Sequence, residues 1–118
     1  MNWYLIQTKP NMHALASKNL RQQGFKVFLP LVLKTSRRSG KFVNIRVPLF
    51  TGYLFIGTAL EQFSWTSVNS TLGVSKAVTL DGHYRAVDTK IIEALKYRCD
   101  INGVISKEIN ISQGDRVK

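Results

Sequence analysis

Residues 48–57 read Pro48-Leu49-Phe50-Thr51-Gly52-Tyr53-Leu54-Phe55-Ile56-Gly57, and the fold class is decided there. Pro48 through Gly52 interrupts regular structure, because proline cannot donate to a ladder and glycine admits backbone angles closed to other residues. Tyr53 to Ile56 is then a near-continuous apolar run of strand length, rich in the aromatic and β-branched types that strands favour. A strand without polar alternation is one buried on both faces, so this segment reads as the central strand of a sheet.

Working outward toward the N-terminus, Phe42 to Val47 is extended in character and follows a charged turn, Ser36-Arg37-Arg38-Ser39-Gly40-Lys41. Phe25 to Thr35 precedes that turn, and the two runs read as a β-hairpin, with Pro30 marking an edge or a bulge in the first. Before them lies a helical pattern from Met12 to Gln23. His13, Ala16 and Leu20 fall on one stripe, Asn11 is placed as N-cap and Gly24 as the stop. Trp3 to Thr8 is a further strand, broken by Pro10-Asn11. Toward the C-terminus, Glu61 to Thr71 is a short helix rich in Ser and Thr, ended by Gly73, and Ser75 to Leu80 is a strand. Asp81-Gly82 is a turn, and Asp88 caps a helix with Ile91, Ile92 and Leu95 along one side. The order β-α-β-β-β-α-β-α implies an α+β sandwich: a mostly antiparallel sheet with flanking helices, expected on one face, and a basic β-hairpin. Residues 1–98 form that domain, 99–112 read as a linker, and 113–118 look like a turn opening a further domain.

Composition narrows the function. With 44% hydrophobic residues the chain has the means for a core, and no apolar run approaches the roughly 20 residues needed to cross a bilayer. The first residues lack the basic and apolar regions of a signal peptide, so a soluble cytoplasmic protein is expected. A lone Cys99 excludes an internal disulfide, and His13 and His83 have no metal-ligand spacing, so neither metal nor cofactor is expected. No paired carboxylates, Ser-His or Cys-His arrangement, or glycine-rich phosphate loop suggests an enzyme or a small-molecule substrate. The net charge is +10, and its layout matters more than its size. Residues 1–60 carry nine Lys and Arg side chains and no Asp or Glu, whereas residues 61–118 carry eight basic and seven acidic ones. A one-sign half points to a polyanionic partner, against the blander reading of a soluble basic surface, and the basic segments do not form the single amphipathic helix that a membrane would select.

Four segments in order carry a resemblance: Trp3-Tyr4-Leu5 opening a strand, Pro48-Leu49-Phe50-Thr51-Gly52-Tyr53-Leu54-Phe55, Asn69-Ser70-Thr71-Leu72-Gly73-Val74, and Gly114-Asp115-Arg116-Val117. Residues 2–98 resemble the N-terminal (NGN) domain of the NusG transcription elongation factors. The basic hairpin and the wording of 48–55 are closer to the specialised RfaH type, and 114–117 resembles the opening of the family's second, KOW domain. The resemblance implies an NGN-type sandwich and a non-catalytic antitermination factor that rides on RNA polymerase. Through it, Phe50, Tyr53, Leu80, Ile92 and Leu95 are matched to a depression that grips the clamp helices of the largest subunit. For Tyr53 and Leu95 a plain core role stands beside that one. The gate-loop contact on the second-largest subunit falls on Ser64, Trp65 and Thr66, with Trp65 either a replacement anchor or a core residue of the short helix. Non-template DNA is matched to Lys9, Asn19, Gln22, Gln23, Thr71 and Leu72, with Lys18 and Arg21 as phosphate contacts. Leu15 and Leu72 stand where the RfaH pattern has arginine. A stand-alone RNA- or DNA-binding module is the alternative, since Gly52 to Gly57 is mildly similar to an aromatic RNA-binding strand.

Overall fold

The first strand, β1 (Asn2–Thr8), alternates its side chains strictly: Ile6 is sealed on one face while Trp3 is sealed on the other. The computed structural model describes residues 1–105, and every statement below concerns them. β1 lies between β5 (Tyr53–Thr58) and β6 (Val74–Ala77), and β5 in turn pairs with β2 (Lys26–Phe28), giving an antiparallel sheet of order β2-β5-β1-β6. The expectation for 53–56 holds. β5 has a strand on each side, and Leu54, Phe55 and Ile56 are all buried.

Two aromatic-aliphatic cores sit on the two faces of this sheet. On one, Ile6, Leu54, Ile56, Val74 and Ala77 meet Ala16 and Leu20 of α1 (His13–Gln22) and Val68 of α2 (Trp65–Asn69). On the other, Trp3, Phe28 and Phe55 meet Ile92 of α3 (Thr89–Tyr97). Helices therefore cover both faces, not one as expected. Alternation along β1 and β5 delivers apolar side chains to each side, and each set needs its own cover. This also removes the open sheet face on which an RNA-recognition module stacks bases. Gly57 is part of the same packing: it pairs with Trp3, and an added Cβ there would meet the indole at 2.8 Å.

The hairpin is built more tightly than the sequence suggested. β3 (Leu31–Arg38) and β4 (Lys41–Pro48) pair through to Arg38 and Lys41, so only Ser39-Gly40 forms the turn. Both turn residues have positive φ (51° and 77°), as a two-residue turn matched to the strand twist requires. The single strand expected over 25–35 is two strands in two sheets, and the chain crosses between them at the buried Pro30. Likewise the strand expected over 75–80 divides. β6 ends at Ala77, and β7 (Thr79–Leu80) joins β8 (His83–Tyr84) through Asp81-Gly82 as a small separate ribbon.

Three local expectations change. Asn11 does not cap α1: it takes φ 58° in the turn, and Met12 holds the cap position without a side-chain bond. α2 is only five residues long, and residues 61–64 are not helical. Ile91 faces solvent, because Ile92 and Leu95, three apart, define the packed side of α3. Asp88 caps that helix as expected, its carboxylate accepting from the Lys90 N–H at 2.9 Å. The stretch expected to be a linker packs at its start. β9 (Val104–Ile105) runs parallel to β3 with both side chains buried. The remainder of that stretch and the expected opening of a second domain lie outside the described residues. Among the described residues no helix is long and apolar enough to cross a membrane.

Candidate functional site

The interrupted segment before β5 makes the most distinctive surface. The Tyr53 N–H donates to the Phe50 carbonyl at 3.1 Å, and Gly52 sits at φ 85°, so Phe50–Tyr53 closes into a tight turn. That turn holds the Phe50 ring out at 41% exposure while its edge rests on Phe55, 6.1 Å between centroids. Leu5, Phe50, Tyr53, Phe55 and Val87 line a depression of about 360 Å³. All five are apolar or aromatic, a composition suited to an anchor-and-pocket protein contact. Leu5 and Val87 were missed by sequence reading. Leu5 shares a strand face with Trp3, and Val87 is held against β1 by its N–H to the Trp3 carbonyl at 2.7 Å. Neither relation is visible without the pairing of distant segments.

Of the five residues matched to a clamp-binding depression, the structure brings together Phe50 and Tyr53. Ile92 is a correction: at 1% exposure it belongs to the core beneath Phe55 and has no surface to offer. Leu95 is half-buried against that same core, on the helix flank. Leu80 is 61% exposed, but on the β7–β8 ribbon and not in the lining of the depression.

The residues matched to a gate-loop contact have structural work. The Ser64 hydroxyl caps α2 by accepting from the Ser67 N–H at 3.1 Å. Trp65 lies flat on Tyr84, with centroids 4.0 Å apart and 10° between planes, and meets Tyr4 edge-on at 4.9 Å. Trp65 is half-buried, packed against the core of Ile6, Leu54 and Val68. Asn69 links the same region: its amide donates to the Tyr84 hydroxyl at 3.0 Å and its carbonyl accepts from the Ala77 N–H at 2.7 Å. Thr66 is exposed.

The residues matched to DNA lie along α1 and the loop 71–73 beside it, with Lys9 before the helix and Lys18 to Gln23 in its C-terminal half and cap. The Asn19 amide donates to the Leu72 carbonyl at 3.2 Å, and the Gln23 amide donates to Thr71 Oγ1 at 2.7 Å. Thr71 is buried and its hydroxyl donates onward to the Ser67 carbonyl at 2.8 Å. One N–H each of Asn19 and Gln23 and the hydroxyl of Thr71 thus hold the 71–73 loop against the helix. Gly73 makes the approach possible: at φ 96°, it lies where a Cβ would stand 2.7 Å from the Ala16 nitrogen. Lys9, Lys18, Arg21, Gln22 and Leu72 are exposed.

A second concavity, of about 740 Å³, lies between the β1–α1 connection and the base of the hairpin. Lys9, His13, Lys34 and Arg46 line it together with Thr51 and Ser75, and none of its lining residues is acidic. Sequence reading singled out Lys9 here but not the groove, since Lys34 and Arg46 reach it only through the hairpin.

Comparison with known proteins fits this architecture. Residues 1–96 match the family model NusG, described as "Transcription termination factor nusG". The chain is 26% identical over 83 residues to the transcription termination/antitermination protein NusG of Halalkalibacterium halodurans, covering 63% of this chain and 47% of that protein. The fold is similar to a solved structure titled "Domain interaction in Thermotoga maritima NusG", with TM-score 0.53 and 20% identity, covering 75% of this chain and 51% of the other. The chain spans about half the length of the relatives it matches. A family model that runs through β1, both faces of the sheet and most of α3 leaves one conclusion: this chain belongs to the NusG family.

Proposed function

We propose that this domain is a transcription elongation and antitermination factor that docks on the clamp helices of RNA polymerase through the depression around Phe50 and Tyr53, suppressing pausing. The observation that carries the reading is an apolar hollow, walled by Phe50, Tyr53 and Val87, open on a domain that is otherwise strongly basic. A coiled coil presents apolar side chains at regular spacing, and a concave apolar surface of this kind accepts such a ridge. Leu95 and the exposed ribbon residue Leu80 are not in the lining of the hollow, so Phe50 and Tyr53 are the anchors and those two meet only a partner that extends beyond it. For the gate loop of the second-largest subunit, the exposed hydroxyls of Ser64 and Thr66 and the half-buried Trp65 between them make the contact. Non-template DNA meets Lys9 before α1 and Lys18, Arg21 and Gln22 along it, in the manner of the RfaH type, with the cations on phosphates.

The test is capture of purified RNA polymerase, with and without its clamp helices, by the wild-type chain and by Tyr53→Glu. The wild type is expected to retain only the polymerase with clamp helices. Tyr53→Glu is expected to retain neither, while its circular dichroism stays that of the wild type. Capture by Tyr53→Glu, or equal capture of polymerase lacking the clamp helices, rejects the docking face.

A further inference from the structure

The β7–β8 ribbon joins neither of the larger sheets, and the chain is fastened to β1 on either side of it. Before the ribbon the Val78 N–H donates to the Leu5 carbonyl at 3.0 Å, and after it the Val87 N–H donates to the Trp3 carbonyl at 2.7 Å. Val87 also lines the apolar hollow, so the ribbon returns into the wall of that hollow. Within the ribbon Thr79 pairs with Tyr84 and Leu80 with His83, which sends Tyr84 and Leu80 to opposite faces. Leu80 is open to solvent, whereas the Tyr84 ring lies parallel to Trp65 of α2, with 4.0 Å between centroids and 10° between planes. Asn69 fastens the same pair, its amide donating to the Trp65 carbonyl at 2.9 Å and to the Tyr84 hydroxyl at 3.0 Å. A five-residue helix does not hold its own direction, so the placing of Trp65, and of Ser64 and Thr66 beside it, depends on such partners.

We propose that Tyr84 is a positioning residue for the gate-loop contact: by stacking on Trp65 it ties α2 to the ribbon that returns through Val87, and so holds Ser64 and Thr66 at a fixed place relative to the hollow. The inference rests on the gate-loop contact of the proposed function and adds to it a residue outside both sets of polymerase contacts. The gain is entropic. Once the hollow is docked, the second contact is made within one complex, and its strength depends on how well the two surfaces are held at the matching separation. An α2 that is loosely held has to be ordered at that moment, and the cost of ordering is taken from the contact. The Tyr84 ring meets that cost in the free protein.

The experiment measures the affinity of the full 118-residue chain for purified RNA polymerase, intact and with its gate loop deleted, for the wild type, Tyr84→Ala and Tyr84→Phe. The wild type is expected to bind the intact enzyme about tenfold more tightly than the deleted one, which corresponds to about 1.4 kcal/mol. Tyr84→Ala is expected to bind both enzymes alike, at the wild-type affinity for the deleted one, because the two changes remove a single interaction. Tyr84→Phe keeps a ring on Trp65 and is expected to recover most of the preference. Amide hydrogen exchange on the free variants reads the cause. The Val68 and Ser70 N–H groups donate to the Ser64 and Thr66 carbonyls at 3.2 and 3.0 Å, and both are expected to exchange faster in Tyr84→Ala but not in Tyr84→Phe, with Leu54 and Ile56 unchanged as a check on the fold. A Tyr84→Ala chain that prefers the intact enzyme as strongly as the wild type does overturns the positioning role and leaves the gate contact standing. Unchanged exchange at Val68 and Ser70 overturns it too. Equal binding of the two enzymes by the wild type rejects the gate contact itself, and the inference with it. Loss of protection at Leu54 and Ile56 in Tyr84→Ala moves the comparison to Tyr84→Leu, which fills the same space without a ring, and a full gate-loop preference in that variant again overturns the role of the stack.

Discussion

Phe50 and Ile92 are both large apolar side chains beside Phe55, one at the surface and one in the core. Truncating each separates the hollow from its floor. Ile92→Ala removes a fully buried side chain and is expected to cost about 2–5 kcal/mol in urea unfolding. Phe50→Ala, already 41% exposed, is expected to cost about 1 kcal/mol, roughly half the value for full burial, yet to weaken polymerase capture strongly. Equal losses of stability place Phe50 in the core and remove it as an anchor. Cys99 offers a second test at this scale. Its Sγ–H donates to the Leu95 carbonyl at 3.3 Å, and burial, with a smaller contribution from the Asp100 charge, raises its pKa above the usual thiol value. A raised pKa means less thiolate near neutrality, so alkylation is expected to run slower than for an unhindered cysteine. Asp100→Asn keeps the oxygen that accepts from Asn102 and Val104 while removing the charge, and is expected to speed alkylation. An unchanged rate leaves burial as the sole cause.

The element most altered from expectation is the run 25–35, where Pro30 is neither an edge nor a bulge but the crossing point between two sheets. Its carbonyl accepts from the Leu49 N–H at 2.8 Å, so the return from β4 toward β5 is fastened to the same crossing. β9 completes that joint: the Leu31 N–H donates to the Gly103 carbonyl at 2.9 Å, and Val104 and Ile105 pack in parallel with β3. Ending the chain after residue 98 exposes what those two side chains cover and is expected to lower stability by roughly 3–6 kcal/mol, with faster hydrogen exchange at Leu31. A truncated chain as stable as the full one assigns β9 no part in holding the hairpin. The short α2 is explained by the same logic of partners. A five-residue helix has little stability of its own, and it persists here because the Ser64 cap, Val68 in the core and Trp65 against Tyr84 hold it.

At the scale of the whole molecule, the basic half acquires a shape. Of the cations of residues 1–60, Lys9, Lys34 and Arg46 line the groove, Lys18 and Arg21 stand on α1, Lys26 on β2, and Arg37, Arg38 and Lys41 flank the hairpin turn, on a domain whose apolar hollow is built from the turn before β5. Binding that uses the cations releases counterions and binding that uses the hollow does not. Association with a paused elongation complex is therefore expected to weaken steeply with added salt, and association with polymerase lacking non-template DNA far less so. A flat salt response of the paused complex removes the DNA contact.

The central position of 53–56, the hairpin, the Asp88 cap, the Gly24 stop and the one-sided charge were all legible in the residues. Each rests on local chemistry: a missing donor, a left-handed turn, an unbroken apolar run, or a sum of charges. The resemblance to NusG was legible too, because it rests on ordered wording along the chain. What the residues did not reveal was which of them are open. Ile92 was matched to the same depression as Phe50, and the bonds of Asn19 and Gln23 to the 71–73 loop have no signal in the residues. Exposure and hydrogen-bond occupancy are set by which distant segment lies against each side chain: α3 under Phe55, the 71–73 loop against α1, and the hairpin beside Lys9. Those approaches are fixed only when the sheet is paired and both its faces are covered, so the hollow and the groove are properties of the tertiary structure.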